Sequence, residues 1–102
     1  MTYRNRKLLD AARGQSCMLQ IPGVCNGNNE TVVACHSNQL AHGRGMGHKS
    51  HDCFIAWGCS SCHTEIDQGH RLSYEERKDY WQRGHELTLL AMFEAGILKV
   101  GK

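Results

Sequence analysis

The spacing of four cysteines constrains this chain more than any other feature. Cys59 and Cys62 are separated by two residues, so both thiolates can lie on one turn, and His63 follows directly. Cys17 and Cys25 lie upstream, with seven residues between them in a segment rich in turn-forming glycine and asparagine. Two short cysteine loops that converge on one ion are typical of tetrahedral structural zinc, whose binding contributes directly to folding. The sequence therefore predicts one zinc ion with the ligands Cys17, Cys25, Cys59 and Cys62.

Two other interpretations of the cysteines stay open at this point. The run from Cys59 to His63 also fits covalent haem attachment. Cys17 and Cys25 can instead be buried thiols or a disulfide. Haem of that type is attached after export, and the charged start of the chain leads into no apolar run long enough for a signal peptide. We therefore expect a reducing cytoplasm, where cysteines are metal ligands or free thiols.

Length and charge limit the remaining possibilities. A chain of 102 residues is predicted to form one domain, with a core at about 14–69 and a C-terminal helix at about 74–95. No apolar stretch is long enough to predict a membrane span. The net charge of +2 is only weakly basic, so the position of the cations matters more than their total. The cations placed to neutralise a phosphate backbone are Arg4, Arg6, Lys7, Arg13, Arg44, Lys49 and Arg71.

Local patterns predict a mixture of helices and short strands. The expected elements are a helix at 3–13, strands at 17–21 and 31–36, a loop at 37–51, an extended segment at 52–58, helices at 60–68 and 74–95, and a small strand at 97–100. The second strand has a β-branched run and ends at His36. The loop that follows it is long and rich in glycine, and long ordered loops are commonly functional. A capping box of Ser73 and Glu76 starts the last helix, and Gly96 ends it.

Two histidines and a carboxylate are the candidate catalytic residues. His63 and Asp67 are four residues apart on a predicted helix, so they share one face and can hold the same divalent ion. The alternative for Asp67 is an ordinary solvated carboxylate. His36 is better suited to stay unligated as a general base, because the usual pKa of histidine lies near neutral pH. Both histidines become neighbours if the cysteine pairs share a zinc ion.

These residues occur in the order of a known nuclease pattern. The features that resemble the His-Asn-His (HNH) pattern, in the zinc-stapled branch of the ββα-metal endonucleases, are His36, the glycine-rich loop, Asp52 and Cys59-x-x-Cys62-His63. The segments similar to the small YbcO-type nucleases of lambdoid phages and prophages are 11–14, Cys17, 21–28, 30–31, His36, Asp52 and 59–67. The likeness runs from about residue 8 to residue 67, and the C-terminal helix adds little to it.

The resemblance implies both a fold and a chemistry. The fold is α+β, with a small zinc-stapled core of two antiparallel strands and a helix around a catalytic metal, joined by an N-terminal helix and a long C-terminal helix. In that family a histidine at the position of His36 activates water for attack on phosphorus, and one at the position of His63 binds Mg²⁺ or Mn²⁺. The ion stabilises the pentavalent phosphorane and the departing 3′-oxygen.

Two positions depart from the wider pattern. Cys35 stands where an acidic residue or histidine usually binds the metal, and its sulfur is a softer ligand, poorly matched to magnesium. Asp52 stands in place of the middle asparagine, where it can orient His36 through the other ring nitrogen or approach the metal itself. Asn38 and His51 are alternative residues for the orienting role.

The sequence and the resemblance together predict a metal-dependent DNA endonuclease. The resemblance suggests phage or prophage DNA processing or recombination as its setting, with a recombination protein as a further partner. The alternative is a zinc-stabilised nucleic-acid-binding module that never cuts, in which His36 and His63 are structural. His42 and His48 are either exposed loop histidines or contacts to phosphate or metal. The oligomeric state stays open.

Overall fold

The computed structural model describes residues 2–45 and 49–101, and its elements give a small α+β fold. The elements in chain order are helix α1 (Arg6–Asp10), strand β1 (Val33–His36), strand β2 (Ile55–Gly58), helix α2 (Ser60–Gln68) and helix α3 (Tyr74–Glu94), with short 3₁₀ turns at Asn29–Thr31 and Leu40–His42. The predicted α+β class and the long C-terminal helix are confirmed. None of the helices in the described part of the chain is long and apolar enough to cross a bilayer.

The two strands form an antiparallel pair that points His36 away from the core. Val33 lies opposite Gly58 and His36 lies opposite Ile55. Because side chains alternate between the faces of a strand, the buried Cys35 faces inward while its neighbour His36 faces outward. A Cβ at Gly58 would collide with Leu19 and Cys35, so the close packing of β2 requires glycine there.

Helix α3 covers the outer edge of β2 and satisfies its backbone groups. The backbone N–H of Trp57 donates to Thr88 Oγ1 at 2.9 Å, and His85 Nδ1 donates to the carbonyl of Ile55 at 2.7 Å. Gly84 allows close approach, since a Cβ there would come within 2.7 Å of Leu19. The sheet edge is therefore paired with α3 rather than exposed, which removes a site for pairing with another chain.

Helix α2 spans the residues predicted for it. Cys59 caps its N-terminus, because the Sγ atom accepts the backbone N–H of Cys62. The carboxylate of Glu65, which is buried within α2, accepts the N–H groups of Arg71 and Leu72 beyond the C-terminus of the helix, at 3.1 and 3.0 Å. These two charge-assisted bonds hold the connection to α3 against α2.

The prediction of a strand at 17–21 was wrong. The segment bends instead, because Gln20 has a φ of +46° and its N–H donates to the sulfur of Cys17. Only one backbone bond links it to β2, from the N–H of Met18 to the carbonyl of Trp57 at 2.7 Å. The N–H of Gln20 therefore bonds to the sulfur of Cys17 and is not available for the hydrogen bonds of a strand.

The ends of the chain also differ from the sequence-based prediction. Helix α1 begins at Arg6 rather than at residue 3, because the side chain of Asn5 caps it by accepting the N–H of Leu8 at 3.1 Å. The strand predicted at 97–100 was wrong, since the N–H groups of Ile97 and Leu98 return to the carbonyl of Met92. That turn closes α3, and Gly96 adopts the left-handed conformation it needs.

Candidate functional site

The four predicted zinc ligands lie together. The sulfur atoms of Cys17, Cys25, Cys59 and Cys62 are all within 4.8 Å of one another. The Sγ atoms of Cys25 and Cys59 are 3.9 Å apart. Zn–S bonds of the usual length place tetrahedral ligands about 3.8 Å apart, so the observed spacing fits a metal such as zinc. All six cysteines are free thiols, and the disulfide between Cys17 and Cys25 that the sequence left open is not formed.

The surroundings of the cluster stabilise a thiolate at Cys17, whereas burial raises the pKa of Cys25. The backbone N–H of Gln20 donates to Cys17 at 3.5 Å, and those of Asn26 and Cys62 donate to Cys59 at 3.4 and 3.5 Å. A hydrogen bond from Cys62 lowers the pKa of Cys17 to about 4, and the same bond raises the pKa of Cys62. The sulfurs therefore share protons that a bound cation displaces.

Cys35 takes no part in either candidate metal site. Its sulfur is fully buried, with the carbonyls of Val33 and Gly58 as its nearest acceptors at 3.7 and 4.0 Å. Burial raises the pKa of Cys35, so the thiol stays neutral. The residue before His36 thus packs in the core instead of binding a catalytic ion.

The predicted partners His36 and Asp52 are joined. His36 Nε2 lies 2.8 Å from Asp52 Oδ1, and the other carboxylate oxygen accepts the backbone N–H of Asn5 at 2.6 Å. Burial raises the pKa of Asp52, but the bonds from His36 and Asn5 outweigh burial and hold it below its ordinary range. With an ionised carboxylate as acceptor, Nε2 of His36 carries the proton and Nδ1 keeps its lone pair.

Arg4 completes this arrangement, and nothing in the sequence pattern singled it out for the role. Its guanidinium donates to Asp52 Oδ1 at 3.2 Å, to the carbonyl of Ser50 at 2.6 Å and to the carbonyl of Lys49 at 3.1 Å. The N-terminal segment is thereby fastened over the end of the glycine-rich loop. We call the group formed by Arg4, Asn5, His36 and Asp52 the polar clamp.

His63 and Asp67 lie side by side on α2, as their spacing predicted. His63 Nε2 is 3.2 Å from Asp67 Oδ2, and the two side chains are 38% and 44% exposed. The hydrogen bond with His63 lowers the pKa of Asp67. The pair offers one nitrogen and one oxygen ligand. Within the described residues, the cysteines are the only group of three or more potential ligands that can hold an ion.

An open cleft brings the candidate catalytic residues together. The cleft has a volume of about 380 Å³, and His36, His63 and Asp67 all line it. The cations around it are Arg6, Arg13, Arg44 and Lys49. A smaller hollow of about 300 Å³ adjoins it, and its walls include Arg4 and Asp52 as well as His36. The clamp thus opens onto the same surface as the pair on α2.

The other polar candidates of the loop have structural partners. Asn38 donates to the carbonyl of Ile66 at 3.3 Å and accepts from Arg44 at 2.7 Å. His51 Nδ1 accepts the backbone N–H of Tyr3 at 2.9 Å. Neither contacts His36, so within the described residues the orienting bond belongs to Asp52.

The two remaining loop histidines have different outcomes. His42 is half-buried, stacks on Phe54 with ring centroids 4.4 Å apart, and bonds Ser37 at 2.6 Å. Burial and the nearby His85 lower its pKa. It is therefore packed rather than free to contact phosphate. His48 lies outside the described residues.

Known proteins match most of this chain. A family model described as "Putative nuclease YbcO" matches residues 6–97. Relatives of that name from Escherichia coli strain K12 and from Enterobacteria phage 82 are each 39% identical over 93 residues, which cover 90% of this chain and 96% of the relative. A solved structure described as a putative bacteriophage protein from E. coli K-12 MG1655 matches with a TM-score of 0.69 and 34% identity, covering 86% of this chain and 98% of that one.

Proposed function

This chain belongs to the YbcO family of nucleases, and from that premise we propose that it is a metal-dependent DNA endonuclease of the HNH type. One observation carries the proposal: the clamped histidine and the histidine–carboxylate pair line a single cleft bordered by four cations. The chain order of β1, β2 and α2, two antiparallel strands followed by a helix, agrees with the ββα arrangement that the resemblance implies. We further propose that the cysteine cluster holds a structural zinc ion.

His36 is the general base of the proposed reaction. Because Asp52 accepts the proton of Nε2, the free lone pair of Nδ1 can take a proton from water. The oxygen of that water attacks phosphorus, and the bond from phosphorus to the 3′-oxygen breaks. The departing oxygen takes a proton from solvent water, which leaves a 5′-phosphate and a 3′-hydroxyl. The carboxylate stabilises the imidazolium that forms, and the buried bond fixes the ring in the productive orientation.

His63 and Asp67 would hold the catalytic ion. An imidazole beside a carboxylate suits Mn²⁺, and Mg²⁺ commonly binds through one or two carboxylates while it keeps several waters. A site with two protein ligands leaves room for phosphate oxygens and water. When bound, a divalent cation supplies positive charge against the phosphate and the departing oxygen.

The cations of the cleft provide the binding of DNA. Arg6, Arg13, Arg44 and Lys49 outnumber the carboxylates Asp10 and Asp67 on the same walls. Each cation that neutralises a phosphate releases counterions, so affinity should fall steeply with salt. One relative comes from a phage, and we propose phage or prophage DNA processing or recombination as the setting. A recombination protein in the bacterial cytoplasm is proposed as a further partner.

A nicking assay tests the proposal. The zinc-loaded protein is incubated with supercoiled, branched and single-stranded DNA, with and without added Mg²⁺ or Mn²⁺. Omission of the ion is preferable to a chelator, because a chelator also threatens the zinc site. His36→Ala is expected to lower the cleavage rate about 10²- to 10⁴-fold. The matched control is His70→Ala, since His70 is exposed and lines neither hollow of the cleft.

Two outcomes would count against this function. Intact DNA under all conditions, with folded protein that still binds DNA, would favour the non-catalytic binding module. Equal cleavage by wild type and His36→Ala would show that another group activates water.

A further inference from the structure

A second pocket lies next to the cleft, and apart from Asp67 none of its lining residues takes part in the chemistry described above. Its volume is about 250 Å³, and it shares Asp67 with the cleft. The loop after β1, the end of α2 and the first turns of α3 form its walls. Pockets for drug-sized ligands usually start at about 300 Å³, so this one suits a smaller planar group.

The floor of the pocket is aromatic and rigid. Trp81 is 3% exposed, and its ring is fixed because Nε1 donates to the carbonyl of Cys35 at 2.9 Å. Ile66 packs beside it and is equally buried. On the rim, the ring of Tyr74 is 57% exposed and so is accessible to a ligand. The pocket thus combines an apolar base with an available aromatic face.

The polar groups of the pocket are under-used. Arg77 makes one long bond, to the carbonyl of Gly69 at 3.4 Å, and its buried Nε atom has no acceptor among the described residues. Within the same residues, neither Arg77 nor Lys78 takes part in an ion pair. The terminal nitrogens of this guanidinium and the ammonium of Lys78 line the pocket and remain available to a ligand.

The sign and shape of the walls indicate which part of a nucleic acid fits. Arg77 and Lys78 attract phosphates at the rim, whereas the deeper walls formed by Trp81 and Ile66 are apolar and offer a phosphate no partner. Gln39 adds an amide, and such a group can both donate to and accept from the edge of a base. A nucleobase inside the pocket, with its neighbouring phosphates outside at the rim, would contact the apolar floor, the amide and the two cations.

We propose that this pocket binds one unpaired nucleobase of the DNA strand whose phosphodiester lies in the cleft. The proposal rests on the nuclease function above and names its substrate: DNA with single-stranded character, such as a gap, flap or branch. A base in an intact duplex must leave its stack to enter, at a cost of a few kcal/mol. Strands that are already unpaired avoid that cost, and stacking on Tyr74 stabilises them.

Binding in the inactive His36→Ala background tests this pocket without cleavage. The probes are a short single-stranded oligonucleotide and the duplex of the same sequence. Their binding is measured by fluorescence anisotropy. Tyr74→Ala is expected to weaken single-strand binding about 5- to 150-fold, while duplex binding changes less than about twofold. The matched control is Phe93→Ala on the same helix, because Phe93 is also exposed but lies away from the pocket. Arg77→Gln should weaken the same probe selectively.

A fluorescent base gives a second readout. With 2-aminopurine in the single strand, stacking should quench its emission in the Tyr74-containing protein, and Tyr74→Ala should restore it. If Tyr74→Ala leaves the single-strand affinity unchanged, or lowers the affinities for single strand and duplex equally, the proposal that this pocket binds an unpaired base is wrong. Neither result depends on cleavage: failure of the nuclease function would appear instead as intact DNA with wild-type protein.

Discussion

The cysteine cluster and the polar clamp hold the same small fold together in opposite ways. The cluster draws its four ligands from two short segments, and each ligand pair is close in sequence. The clamp joins Arg4, His36 and Asp52, which are at least 16 residues apart and meet only through side-chain hydrogen bonds. One region is a local motif completed by an ion, and the other is a product of the whole fold.

This difference separates what the two regions are for. Binding of the proposed zinc ion would contribute about 10–16 kcal/mol, which rivals the stability of a whole small domain, so the cluster would determine whether the chain folds. The clamp contributes a few hydrogen bonds but fixes one imidazole. We therefore expect damage to the cluster to destroy structure, and damage to the clamp to destroy activity while structure persists.

The largest expected effect is loss of the cluster. Cys62→Ser, or removal of zinc by a chelator, should unfold the protein, because apparent zinc binding of about 10–16 kcal/mol rivals the whole stability of a small domain. Circular dichroism measures the loss of helical structure, and the ratio of zinc to protein measures the loss of the ion. Cys53→Ser is the control, since that thiol is exposed and outside the cluster. A folded, zinc-free Cys62→Ser protein would show that the apolar core suffices.

A smaller effect is expected from Asp52→Asn, which keeps the shape of the side chain but removes its charge. Loss of the residue that orients a catalytic or ligating histidine typically costs about 10- to 100-fold in activity. The fold should persist, because the weakened bonds are worth about 1.5–3 kcal/mol. Nicking rates and thermal unfolding measure the two quantities. Asp79→Asn on α3 serves as the control. If Asp52→Asn unfolds, the polar clamp is required for folding, as we expect of the cysteine cluster.

Arg4→Ala should have a still smaller effect. The variant removes the bonds to Asp52 and to the carbonyls of Lys49 and Ser50, which we expect to cost about 1 kcal/mol of stability and a few-fold in kcat. If Arg4 acts by positioning, kcat falls and KM for DNA stays constant. A rise in KM alone would instead identify Arg4 as a contact to phosphate. Arg83→Ala, on the far part of α3, is the control.

The smallest expected effect is the response of the clamp to acid. The pKa of Asp52 is lower in the folded protein than its ordinary value of 3.8, so its contribution is complete above that value and is lost as pH falls through the folded pKa. The difference in free energy of unfolding between wild type and Asp52→Asn should stay constant from about pH 8 to pH 5 and shrink only below about pH 4. Urea unfolding at saturating zinc measures it. A difference that shrinks near neutral pH would assign the contribution to another group.

The sequence predicted the parts of this molecule that depend on local spacing. The short loop between Cys59 and Cys62 revealed one half of the cluster, and the capping box at Ser73 gave the start of α3 correctly. The i,i+4 pair of His63 and Asp67 also followed from helical geometry. Each of these features involves neighbours along the chain, so periodicity and turn chemistry describe it.

The errors arose where backbone N–H groups bond to acceptors outside a strand ladder, and where the partners are distant in the sequence. The segment at 17–21 has the composition of a strand, but the sulfur of Cys17 takes an N–H that a ladder would need. Ile97 and Leu98 are apolar enough for a strand, but they bond back to the last turn of α3. The bonds of Arg4 to Ser50 and Asp52 have no local signal, because those acceptors lie more than 40 residues away in the sequence. Such contacts exist only once the fold does.

Helix α2 carries the proposed zinc ligand Cys62 and the proposed catalytic ligand His63 as adjacent residues. A reagent that oxidises the thiolates would release the ion that fixes the first turn of this helix, and His63 would lose its position with it. We therefore expect hydrogen peroxide to release zinc and abolish nicking in parallel, and thiol reduction with zinc resupply to restore both. Nicking that survives complete zinc release would contradict this. The enzyme would then be sensitive to the redox state of the cell although none of its proposed catalytic groups is itself a thiol.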